Sequence, residues 1–174
     1  MSPRREVEWA VAIVVAAAFL RLWGLDAQSL WIDEWFAVAD AQRPLATLWW
    51  LPDGEPALHK MLLHRLFAWT GTSDWWARLP SALASVAAVW LLFDLGRRWV
   101  DGATGLIAAA LLALHPLAIW YGQEARGYSF AVLAALGSAR ALGDAWERPG
   151  WRGWLGYAGW VWFGIGSHYY FVFV

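Results

Sequence analysis

Residues 78–99 read RLPSALASVAAVWLLFDLGRRW. From Leu79 to Phe93 the run holds no charge, and arginines stand at both ends. A helix needs about 20 mostly apolar residues to cross a bilayer, and this run is of that length. Asp94 lies one helical turn from Arg97 and Arg98, so its charge can be paired at the membrane face. Four further apolar runs lie outward from this one: Val7 to Leu25, Thr104 to Tyr121, Gly127 to Trp146, and Trp154 to the end. The first carries Arg21 near its exit, where a long side chain can snorkel outward. The third contains His115-Pro116. The turns Asp101-Gly102 and Arg148-Pro149-Gly150 separate neighbours. The pattern predicts an all-α, polytopic membrane fold with about five transmembrane helices in one domain, residues 1–174.

Composition agrees. The chain is 60% hydrophobic and 16% charged, more apolar than ordinary soluble domains. Tryptophans such as Trp23, Trp31, Trp99, Trp120 and Trp146 fall near the ends of apolar runs, as indole belts at a membrane interface do. A net charge of −1 gives no reason to expect a nucleic-acid partner or a basic tail for anionic lipid. With no cysteine, disulfides, thiolate-bound zinc and thiol nucleophiles are excluded. The first run is longer than a signal-peptide core and has no small-x-small cleavage site after it, so it reads as an uncleaved helix.

Arginines set the orientation. Arg4 and Arg5, Arg97 and Arg98, then Arg140, Arg148 and Arg152 fall on alternate connections. The positive-inside rule puts these, and the N-terminus, in the cytoplasm of an inner-membrane protein. The connection 26–77 is then the first extracytoplasmic loop. Within it, residues 34–51 and 56–69 mix apolar and charged residues at helical spacing, which predicts two surface helices.

Charges at membrane level are costly and need a reason. Asp33 and Glu34 follow the first helix, and Glu55 precedes the second surface helix with His59, Lys60 and His64. Tyr121, Gln123, Glu124 and Arg126 lie at the turn between helices three and four; His168 and Tyr169 lie in the outer third of helix five. All fall on the outer side, and Asp33, Glu124 and His168 are expected to converge on one outward-opening cavity. Each has a plainer reading. Asp33 can be a dipole-favoured acid at a helix start, Glu124 and Arg126 a solvated pair, and the histidines structural.

These segments, in order, resemble a known family. FLRLWGLDAQSLWIDEWF (19–36), EPALHKMLLHRLF (55–67), RLPS…GRR, IWYGQEARGYSF (119–130) and SHYYF (167–171) resemble lipid-linked-sugar glycosyltransferases of the GT-C fold. The closest look is to the protein O-mannosyltransferase and lipid A aminoarabinose-transferase superfamily. The resemblance implies transfer of a sugar from a polyprenyl-phosphate donor to an acceptor on the outer face, with inversion. It implies that Asp33 is catalytic with Glu34 beside it, and that Gln123, Glu124, Arg126, His168 and Tyr169 bind substrate. Glu55, His59, His64 and Tyr121 complete the substrate-binding candidates. A phosphate leaving group needs no strong acid, so one carboxylate acting as base suffices, with cations stabilising the departing charge. Where family members often have His-Pro-Pro, this chain has Glu55-Pro56-Ala57, which leaves the acceptor and any divalent metal ion open. The chain ends in an apolar stretch, as expected of a domain truncated at its C-terminus. The rival reading is a non-catalytic subunit or transport module that holds a polyprenyl lipid. An intramembrane protease is disfavoured by the lack of Gly-x-Ser-x-Gly or paired intramembrane aspartates.

Overall fold

The computed structural model describes residues 1–50, 56–148 and 150–173. Among these residues the chain is all-α, with no strand. The helices are α1 (Pro3–Leu22), α2 (Ile32–Ala41), α3 (Leu58–Thr70), α4 (Asp74–Trp99), α5 (Gly102–Leu114), α6 (Pro116–Gly122), α7 (Tyr128–Glu147) and α8 (Trp151–Ser167). Short 3-10 turns occupy Leu45–Trp50 and Tyr169–Phe173. Side-chain caps start the helices where the sequence supplies them. The Ser73 hydroxyl accepts from Trp76 N at 3.2 Å before α4, and Asp101 accepts from Thr104 N at 2.7 Å before α5.

α4 is the hub and packs against α1, α3, α5, α6 and α7. The core around it is built largely from small residues: Ala10 and Ala17 of α1, Ala109 and Ala113 of α5, with Val89 and Phe93. Large apolar side chains point the other way. Trp9, Val15 and Phe19, then Ile107 and Leu111, then Leu155 and Trp162 are exposed. Small inside and large outside is the arrangement of helices that approach closely in lipid. A Cβ built on Gly96 would stand 2.7 Å from Gly105 Cα, so α4 and α5 cross backbone to backbone there.

By length and composition α4 alone suffices to cross a membrane, and α5 with α6 makes a second span if the bent pair counts as one. α8 has 17 residues against the roughly 20 of a full span, and charges at both ends of α1 interrupt its apolar run. The five spans expected from the sequence are thus met in full by one helix, or two.

The third apolar run is broken. α5 and α6 meet at His115 with a bend of 62°. Pro116 has no N–H to give the Leu112 carbonyl, which interrupts the helical hydrogen-bond ladder at the bend. Arg21 supplies the missing donors. Its Nη2 reaches Leu112 O at 3.1 Å, its Nη1 reaches Ala113 O at 3.0 Å, and its Nε reaches Ser85 Oγ at 2.7 Å. Arg21 is fully buried, which corrects the expectation that it snorkels outward. The carbonyls opened by the proline are what hold it inside.

The arginine-rich connections gather at one end of the bundle. Asp94 pairs with Arg98, as its spacing suggests, and also with Arg140 of α7 at 2.7 Å. Asp144 is shared between Arg140 and Arg98. At the opposite end lie the start of α2, the 122–127 turn and the end of α8. The last helix stops earlier than expected: His168 has extended dihedrals, so it follows α8 rather than lying within it.

Candidate functional site

Asp33 and Glu34 are neighbours in the first turn of α2, and the helix turns them in different directions. Successive residues on an α-helix are about 100° apart. Glu34 goes inward and is 1% exposed. Its Oε1 accepts from Arg78 Nε and from Ala125 N, both at 2.8 Å. Its Oε2 accepts from Arg78 Nη2 at 2.7 Å and Trp31 N at 3.3 Å. Arg78 also donates to the carbonyls of Leu25, Gln28 and Ser29, so all five of its N–H groups are used. One buried pair thus ties the 25–29 loop, α2, α4 and the 122–127 turn together. The sequence presents Glu34 as an unpaired acid; in the structure its oxygens are committed to holding the backbone around the site.

Asp33 goes outward, with its side chain 43% exposed. Its carboxylate stands 3.7 Å from Arg126 Nη1, which also approaches the Asp33 carbonyl at 3.5 Å. Arg126 in turn lies over the Tyr128 ring at 5.7 Å. Tyr128 joins a series of rings from Tyr121 (4.5 Å) to His168 (4.9 Å), with Tyr169 stacked on His168 at 5.1 Å. Tyr128 carries no sequence signal beyond its place in the motif, and was missed.

The side chains of this end divide between two hollows. A narrow groove is lined by Pro56, His59, Lys60, Arg126, His168 and Tyr169. A larger cavity of about 360 Å³ is lined by Gly24, Leu25 and Ala27 to Ser29 of the loop after α1, with Trp31, Glu34, Arg78, Trp120, Gln123 and Glu124. The non-helical turn between α6 and α7 separates them, with Glu124 on one side and Arg126 on the other. Asp33 itself lines neither hollow; its chain neighbour Glu34 is in the wall of the cavity and its ion-pair partner Arg126 in the wall of the groove. The single shared cavity expected for Asp33, Glu124 and His168 is therefore replaced by two, since Glu124 and His168 line different ones.

Two basic side chains, Lys60 and Arg126, line the groove, each with an acid beside it. Lys60 is buried and pairs with Asp40 at 3.0 Å. His59 is buried beside Phe130, its Nε2 without a hydrogen-bond partner among the described residues. Burial, with Arg126 and Lys60 adding to it, lowers its pKa to about 3, so it stays neutral at physiological pH. α3, expected as a surface helix, packs one face against the bundle with His59, Lys60 and Leu63 buried, and leaves Leu62 and Trp69 exposed on the other. His64 faces α2 instead, its Nδ1 2.8 Å from Ala41 O, and lines neither hollow.

In the cavity, Glu124 is 6% exposed. Its Oε1 accepts from the Trp120 indole, and its Oε2 has no partner among the described residues. Burial pushes its carboxyl above the ordinary range, with Glu34 adding to this and Trp120, Arg126 and Arg78 opposing it. Gln123 donates to the carbonyls of Leu20 and Trp23, which anchors the turn to the end of α1. Glu55 lies outside the described residues, as does the Pro52-Asp53-Gly54 turn. Among the described residues no three His, Asp or Glu side chains stand together to hold a metal ion.

A family model described as dolichyl-phosphate-mannose-protein mannosyltransferase matches residues 55–174. No curated protein and no solved structure matches the chain.

Proposed function

The chain belongs to the dolichyl-phosphate-mannose-protein mannosyltransferase family, membrane glycosyltransferases of the GT-C type, and on that premise we propose that it moves a sugar from a polyprenyl-phosphate carrier to an acceptor hydroxyl outside the cytoplasm. The five apolar runs are read as five crossings of the inner membrane: α1, α4, the bent α5–α6 pair, α7 and α8, with the N-terminus in the cytoplasm. The exposed apolar faces of α1, α5 and α8 support this reading, as surfaces suited to lipid.

One observation carries the mechanism. Asp33 is a half-exposed carboxylate set against Arg126, which lines the groove together with Lys60. The groove suits the phosphate of the donor. Asp33 takes the proton of the acceptor hydroxyl, whose oxygen attacks the anomeric carbon from the face opposite the phosphate. The bond from that carbon to the phosphate oxygen breaks, the phosphate keeps the electron pair, and the configuration inverts. Arg126 offsets the charge that develops on the leaving group. Glu34 acts as a positioning residue, through Arg78 and Ala125 N.

The test is transfer of radiolabelled sugar from a polyprenyl-phosphate donor by the full-length protein in proteoliposomes. Asp33→Asn keeps the side-chain shape and removes the proton acceptor. Turnover should fall about 10²–10⁴-fold, with donor binding retained. Near-normal transfer by a folded Asp33→Asn protein overturns the assignment. Donor binding without any turnover by the wild type favours a lipid-holding subunit.

A further inference from the structure

Resting on that reading, we propose that the cavity between the 24–31 loop and the 120–124 turn is the acceptor subsite, and that it takes an uncharged saccharide. Its volume, about 360 Å³, is at the lower end of ligand pockets and far above the space of a bound water.

Charge decides against a phosphate there. Two carboxylates, Glu34 and Glu124, stand in the wall. Arg78, the cation in the same wall, has given its five N–H groups to Glu34 and to the carbonyls of Leu25, Gln28 and Ser29. It has no donor left for an anion. What the wall has to give is acceptor capacity. Glu124 is more than nine-tenths buried, and its Oε2 lacks any partner among the described residues. A buried acceptor left unpaired costs free energy that a ligand hydroxyl recovers by donating to it. Several hydroxyls around one ring are the ligand chemistry that fits such a wall.

Shape points the same way. Trp31 and Trp120 line the cavity with exposed indoles, whose flat faces suit the C–H face of a sugar ring. Position completes the case, because Glu34 in this wall follows Asp33 directly.

The experiment uses the full chain in lipid nanodiscs. Binding of methyl mannoside, methyl glucoside and methyl galactoside is measured by saturation-transfer NMR without donor, beside phenyl phosphate and a Ser/Thr peptide. At least one hexoside should bind, and phenyl phosphate and the peptide should not compete with it. Glu124→Gln, which exchanges one acceptor oxygen for a donor, should weaken hexoside binding roughly two- to tenfold. Ala27→Trp, which fills the cavity from an exposed loop position, should abolish it, while polyprenyl phosphate is still bound. Hexoside binding unaffected by Ala27→Trp, or displacement by the peptide or the phosphate, overturns the proposal. If no hexoside binds while the same protein transfers sugar to another acceptor, the acceptor assignment alone fails. Hexoside binding by a protein that never turns over donor removes the transferase reading and leaves a saccharide site.

Discussion

Glu34→Gln should unfold the protein at a distinctly lower temperature, and Asp33→Asn should not. The two acids are adjacent, but Glu34 accepts four hydrogen bonds at 1% exposure, whereas Asp33 is half exposed beside Arg126. Removing one partner of a buried ion pair costs about 3–5 kcal/mol, because the other charge remains buried. Arg78 would keep the carbonyls of Leu25, Gln28 and Ser29, which places the loss towards 3 kcal/mol. Glutamine preserves the shape but presents an amide N–H to Arg78 or to a backbone donor, so at least one contact becomes donor against donor. For a chain of this size, 3–5 kcal/mol corresponds to roughly 6–20 °C in unfolding temperature. For Asp33→Asn the carboxylate lost is 43% exposed and stands 3.7 Å from Arg126, and the change should stay within about 1 kcal/mol. The assay is thermal unfolding of the detergent-purified variants followed by tryptophan fluorescence. A double variant, Glu34→Leu with Arg78→Met, should recover much of the loss, since neither charge is then stranded. The reasoning is refuted if Glu34→Gln melts with the wild type, or if Asp33→Asn is equally destabilised.

Arg21→Met keeps the aliphatic stem but strands Leu112 O and Ala113 O, at about 1–3 kcal/mol each. The variant should unfold at a lower temperature than the wild type, and an unchanged melting temperature would show that Arg21 does not hold the break. His59 titrates near 6.5 when unfolded and at about 3 when folded, so its contribution to stability is complete above pH 6.5 and declines as pH falls towards 3. His59→Phe removes that charge-burial cost and should flatten the wild-type loss of melting temperature between pH 6.5 and 4; equal slopes in both proteins would contradict it. In the cysteine-free chain, a single cysteine at Asp26 should react with an impermeant reagent from outside and one at Asp101 should not. The reverse pattern would invert the proposed orientation.

The helices were legible because apolar runs bounded by arginines and turn residues leave little choice. α4 runs from Asp74 to Trp99 where the sequence marks 78–99, and α7 from Tyr128 to Glu147 where it marks 127–146. The break at His115 was less legible. Thr104 to Tyr121 is continuous in composition, and a proline in a membrane helix can kink it or end it. The burial of Arg21 follows from that break and could not be read without it, since its carbonyl partners lie about 90 residues away along the chain. The same distance hid the pairing of Glu34 with Arg78, which joins residues 44 apart. A lone acid beside an apolar run looks unpaired until the fold brings its cation.

Asp33 and Glu34, together with the Gln123–Arg126 run, then share one logic. A pair of adjacent acids invites a single role, yet on a helix the two cannot face the same way, and one must be structural if the other is open to substrate. The turn between α6 and α7 does the same without a helix. Glu124 faces the cavity, Ala125 gives its N–H to Glu34, and Arg126 faces the groove and Asp33. Read as one motif, these residues suggest one site. In the fold they form the wall between two, anchored by Glu34 and Gln123, with Asp33 at its edge. On the proposed reading that division has a use, since a phosphate-bearing donor in the groove and a neutral acceptor in the cavity would be held by different side chains on the two sides of one turn.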